Sequence, residues 1–167
     1  MTMLPRLLFV LLLVVAPAVI WATSAPLPAR VATHFGRGGL ANGWMTHDGY
    51  LVFILAFTVL LPAFIVAMVG VLPRAIGARA SIPNRNYWLT PERRDAALSS
   101  LASHACWLGC LLVVFLVAIH LLTVEANAAT PARLSESAMI GVMAGFGLGI
   151  VLWLLALWMR FRRVVGR

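Results

Sequence analysis

Lysine is absent from this 167-residue chain, and only five side chains are acidic against thirteen arginines. Charged residues make up 11% of it and apolar residues 62%, with a mean hydropathy of +0.97. Soluble domains carry about 25% charge and about 45–50% apolar residues, so this scarcity of charge makes a bilayer the solvent. Cysteine is nearly missing too. Cys106 and Cys110 lie one helical turn apart in an apolar run, a spacing that suits small packing residues rather than a disulfide framework, and two thiols alone make a poor metal site. No phosphate loop, nucleophile elbow or dinucleotide fingerprint is present. The glycines of Gly145-Phe146-Gly147-Leu148-Gly149 lie within an apolar run with no strand before it, so they cannot cradle a phosphate.

What the chain has is long apolar runs. A spanning helix needs about 20 mainly apolar residues, and four segments qualify: roughly Pro5 to Ala22, Tyr50 to Leu72, Leu101 to Val124, and Ala138 to Met159. The first also has the short apolar core and small-residue exit of a secretory signal, which residues 1–25 would form, whereas Pro17 and Trp21 suit a retained helix. The fold expected is all-α, an integral-membrane four-helix bundle. Arginine placement orients it. Arg6, Arg74, Arg79, Arg85, Arg93, Arg94, Arg160, Arg162, Arg163 and Arg167 fall on one side, and Arg30, Arg37 and Arg133 on the other. The positive-inside bias puts both termini in the cytoplasm, and it accounts for the net charge of +8 without nucleic acid. Residues 1–72 form one unit with an outer loop at 23–49, residues 73–95 a cytoplasmic loop, and residues 96–167 a second helix pair with a basic tail.

Small residues are where helices approach in lipid. Gly141, Gly145 and Gly149 recur every four residues along the fourth run, and the third offers a complementary stripe in Ala102, Cys106 and Gly109 or Cys110. The glycine groove packs inside the bundle or forms a homodimer seam. The third helix is expected to start before the membrane, with Thr90 as its cap, Pro91 in its first turn and Glu92 beside the helix dipole.

Two segments exceed what a connector requires. LPARVATHFGRGGLANGW, residues 27–44, is rich in glycine and should fold into tight turns, with Trp44 and Tyr50 at the membrane boundary. Binding candidates here are His34, Phe35, Asn42, Trp44, His47 and Asp48. His34, His47 and His120, with Glu125 nearby, include ligand types of zinc, but no HExxH spacing supports a metal site. The bland alternative has His34 bonded to loop backbone and His120 satisfied by a neighbouring helix. No cofactor is expected. IPNRNYWLTPERR, residues 82–94, offers Arg85, Tyr87, Trp88, Arg93 and Arg94 either to lipid headgroups or to a cytoplasmic partner.

The outer loop carries a likeness. Leu27-Pro28, Thr33-His34-Phe35, Gly39 and Gly43-Trp44 resemble the N-terminal pattern of the domain of unknown function 1648 (DUF1648), found in SdpI-like immunity proteins. Ala32, Gly36 and Asn42 depart from the residues common in that family. The resemblance implies a non-enzymatic multi-pass protein of the bacterial cytoplasmic membrane, acting in toxin immunity or in signalling through a sequestered regulator. Its partners would be the lipid bilayer and a peptide toxin or regulatory protein. The competing readings are a small structural subunit or assembly factor of a membrane complex, and, less favoured, a metal-dependent membrane enzyme.

Overall fold

The computed structural model describes residues 3–75 and 82–162. The expectations for Arg79, Arg163 and Arg167 fall outside these. Four helices are long and apolar enough to cross a membrane. Helix α1 is Leu4–Ser24 and runs through Pro17; helix α2 is His47–Val66, continued by a π turn at Ala67–Val71 and a short α3 at Leu72–Ala75. After the single turn α4 (Arg85–Trp88), helix α5 runs from Arg94 to Ala128 and α6 from Glu136 to Arg162. Hydrogen bonds from Arg6 to Ser99 and from Arg160 to Ser100 show that α1 starts and α6 ends beside the start of α5. That is the arginine-rich end.

The fold is mostly helical but not all-α. The outer loop forms a two-stranded antiparallel sheet of β1 (Arg30–Phe35) and β2 (Ala41–Thr46). Val31, Thr33 and Phe35, with Trp44 and Thr46 opposite, are side chains that suit a pleated, half-buried surface. Gly38 and Gly39 supply the left-handed turn, at φ 75° and 73°. The glycine count signals a turn; pairing across it makes the strands.

Helix α5 is the axis of the molecule. It packs against α1, α2 and α6, and its buried positions run from Ala97 to Ala126. Close approach depends on missing side chains. A Cβ on Gly109 would lie 2.6 Å from the Phe9 ring of α1 and 2.7 Å from Val66 of α2. A Cβ on Gly70, in the π turn, would come within 3.2 Å of the Ala102 backbone. The core has three clusters, one at each end and one at mid-depth, where Phe9, Ala16, Cys106, Cys110 and Val113 meet.

Helix α6 is peripheral. The apolar stretch of α5 is 44% buried and that of α6 0%. The expectation that the glycine groove packs inside the bundle is therefore corrected. Gly149 alone meets a neighbour, with a Cβ position 2.8 Å from Leu111, while Gly141 and Gly145 have open space beside them.

The start of α5 also differs from expectation. Thr90 and Pro91 form a separate turn in which the Thr90 carbonyl accepts from Arg93 and Arg94 at 3.0 and 2.9 Å, and the helix opens at Arg94 without a side-chain cap. Hydrogen bonds from its own backbone N–H and from Thr90 hold the Glu92 carboxyl below the ordinary carboxylate range. The expected capping residues thus stabilise the turn before the helix.

Candidate functional site

The hairpin is seated on the bundle by backbone contacts. Asn127, in the last turn of α5, accepts from the Ala32 N–H at 2.8 Å and donates to the Ala32 carbonyl at 3.0 Å. Its second N–H donates to the Thr123 carbonyl at 2.8 Å. The amide thus pairs with β1 as a strand residue would, and both its N–H groups are used. On the other side, Leu134 donates to the Gly39 carbonyl at 2.8 Å, and Ala41 to Ala132 at 3.3 Å. A Cβ on Gly39 would collide with the Leu134 carbonyl, so glycine is required there twice, for its φ and for this approach.

Beneath the hairpin lies a polar chain inside the helices. His120 is fully buried in α5, with Nε2 2.8 Å from the Thr23 hydroxyl of α1 and Nδ1 2.8 Å from the Tyr50 hydroxyl of α2. Thr23 donates its own proton to the Val19 carbonyl at 2.7 Å. Its oxygen must then accept from Nε2–H, which leaves Nδ1 to accept from Tyr50. The proton order is Tyr50 to His120 to Thr23 to Val19, and α1, α2 and α5 are tied at one level. Satisfying the imidazole this way avoids the cost of an orphan polar group in an apolar interior, about 1–3 kcal/mol.

The structure disperses the outer-loop candidates. His34 is exposed, 3.3 Å from its neighbour Thr33, and lies across Gly43. The histidine that holds loop backbone is His47, through Nδ1 to the Leu27 carbonyl at 3.3 Å and its N–H to Ala29 at 3.0 Å. Asp48 sits in the first turn of α2, where its charge favours the helix dipole, and Thr46 caps that helix by accepting from Gly49 at 3.2 Å. Asn42 is exposed, and Phe35 is half-buried beside Met139 and Ile140 of α6. Tyr50, expected at the membrane boundary, is in the core instead. Trp44 is 49% exposed, with the Arg30 guanidinium 5.9 Å from its ring centre.

His34, His47 and His120 do not converge. Among the described residues no three His, Cys, Asp or Glu side chains are placed to hold a metal ion. A polar cleft of about 480 Å³ does open beside the hairpin turn, between Gly38, Glu125, Arg133 and Glu136, and Arg133 donates to the Gly38 carbonyl at 2.9 Å. Asn127, Arg133 and Glu136 were not singled out by sequence as site residues. A lone asparagine in the last turn of an apolar helix was the available signal.

At the arginine-rich end, the 82–94 segment folds back onto α6. Asn84 donates to the carbonyls of Phe161 and Arg162, each at 3.1 Å, and the Trp88 indole donates to Phe161 at 2.8 Å. These bonds satisfy carbonyls that the end of α6 would otherwise leave open. Arg160 stacks on Trp88 at 4.6 Å and Arg93 on Tyr87 at 4.2 Å. Arg85 opens α4, and Arg94 opens α5. Tyr87 and Trp88, which the sequence offers to lipid headgroups or to a cytoplasmic partner, have ring partners within the protein: each other, Arg93, Arg160 and Phe161. No family model matches the chain, and comparison with curated proteins and with solved structures finds no match.

Proposed function

We propose that this is a non-enzymatic integral membrane protein whose hairpin is a ligand-binding cap on the extracytoplasmic face. The observation that carries the reading is the seating of the hairpin. Asn127, Leu134 and Ala132 hold its backbone against the helices, while Trp44 and Arg30 stay on its outward face. Tryptophan and arginine are the side chains most enriched where partners bind, and a pre-ordered surface spends less affinity on ordering. Among the described arginines, seven lie toward the end where α1 starts and α6 finishes, and Arg30, Arg37 and Arg133 toward the hairpin. That bias supports cytoplasmic termini and an outward hairpin.

The resemblance of residues 27–44 to DUF1648 supplies the setting: immunity to a peptide toxin in a bacterial cytoplasmic membrane, or signalling through a regulator. Cells made sensitive to the cognate peptide and expressing the protein should survive. Trp44→Ala should lower protection by about tenfold, the loss of roughly 1.4 kcal/mol at a binding anchor, with membrane level unchanged. Full protection by that variant and by Arg30→Ala would remove the hairpin from the function.

The open faces of Gly141 and Gly145 favour a second reading, a subunit whose α6 receives another helix. Gly145→Leu should then abolish association seen by cross-linking in membranes. Unchanged cross-linking would discard it.

A further inference from the structure

Between α5 and α6, at the arginine-rich end, lies a cavity of about 670 Å³, within the range of ligand sites, about 300–1,000 Å³. Its lining changes character with depth. Arg160, Ser100 and Ser103 are at its polar end, and Leu111, Leu152 and the bare backbone of Gly149 at its apolar end. Trp107 and Trp153 line it between, and the Trp153 indole donates to the His104 carbonyl at 2.7 Å. From Ser100 to Leu111 the helix rises about 16 Å at 1.5 Å per residue. That is close to half the hydrocarbon core of about 30 Å. The cavity therefore has the depth of one leaflet.

Among the described residues the charge at its mouth has no counter-ion. Arg160 uses Nε on Ser100 at 3.1 Å and lays its face on Trp88 and Phe161, at 4.6 and 5.4 Å from the ring centres. No carboxylate among the described residues meets it, and its two terminal nitrogens have no acceptor there. Held by one hydrogen bond and two rings, the guanidinium presents the rest of its donor fork, which matches a phosphate group.

We propose that this cavity binds one anionic phospholipid from the adjacent leaflet, its phosphate on Arg160 and the Ser100 hydroxyl and an acyl chain running past Trp107 to Leu111 and Gly149. A free phosphate would use only the polar end and leave the apolar half empty. A zwitterionic lipid carries its own cation and gains less from Arg160. The site is separate from the hairpin, so it stands or falls independently of the proposed ligand-binding role.

The test uses the full chain purified in neutral detergent with equimolar phosphatidylglycerol and phosphatidylcholine of the same acyl chains. Mass spectrometry that preserves non-covalent complexes then counts the lipids retained. One phosphatidylglycerol per chain is expected, preferred by about tenfold or more, as a charge-assisted hydrogen bond gives. Arg160→Gln should bring the preference close to one. Ala156→Trp, which fills the lining without touching the charge, should lower retention of both lipids. Equal retention of the two lipids by the native chain would overturn the proposal, as would an unchanged preference in a folded Arg160→Gln variant. Should that variant not fold, unchanged retention in Ala156→Trp overturns it alone. Displacement of the lipid by millimolar inorganic phosphate would mark a free-anion site and reject the lipid assignment. A lipid-free dimer lost on Ala156→Trp would assign the cavity to a second copy and reject it equally.

Discussion

Helices α5 and α6 are close in composition and opposite in fate. Their apolar stretches have mean hydropathies of 2.6 and 2.3, yet 44% of the first is buried and none of the second. In water an apolar face seeks the core. In lipid it has no such preference, so apolarity alone does not choose a helix's neighbours. What separates the two is the small and polar residues. Helix α5 presents Ala102, Ala105, Gly109 and Cys110 to its neighbours and adds His120 and Asn127 as polar ties. Helix α6 carries glycines as well, but Gly141 and Gly145 meet no neighbour among the described residues. A glycine in a spanning helix thus marks a place where a backbone can approach, without saying that one does.

The sharpest way to break this comparison is to place the same residue on both helices. Gly109→Leu would drive a side chain into Phe9 and Val66, and overpacking of this kind costs about 1–3 kcal/mol or more. Thermal unfolding in detergent should show a large fall in Tm. Gly145→Leu should leave the same curve within about 0.5 kcal/mol of the parent. Similar losses in both would mean that α6 is as buried as α5.

Next in size is His120→Leu. It removes the shared partner of Thr23 and Tyr50, leaving the Tyr50 hydroxyl without its acceptor, at a cost of about 1–3 kcal/mol. A stability equal to the parent's would show that the polar chain is not what ties α1, α2 and α5. The smallest effect on the whole fold is expected from Asn127→Ala. The helices should persist, while hydrogen exchange at the Ala32 amide accelerates by about fivefold, for the loss of roughly 1 kcal/mol. Exchange at an unchanged rate would mean that the hairpin is held by other contacts.

Helices long and apolar enough to cross a membrane were legible in sequence because they depend on counts: long apolar runs and few charges. The partner of each residue was not. Tyr50 looked like an interfacial aromatic because it follows the outer loop, but α2 turns it inward toward a histidine seventy positions away. Helices apolar on every side carry no periodic mark of their inner face, so the meeting of Thr23, Tyr50 and His120 had no local signal. The strands were missed for a related reason. Four glycines between Phe35 and Trp44 signal turns, while the bonds that seat β1 and β2 come from the distant Asn127 and the 132–134 loop.

The amino-acid order alone determined that the chain has four membrane-length helices and arginine concentrated in the segments of one end, since both follow from the transfer of apolar and charged groups between water and lipid. Only the tertiary structure decided that α5 is the axis, that α6 leaves its glycines open, and that an asparagine at a helix end completes a sheet. Those outcomes rest on close packing and on hydrogen bonds between distant residues, whose energies exist only once the helices have met.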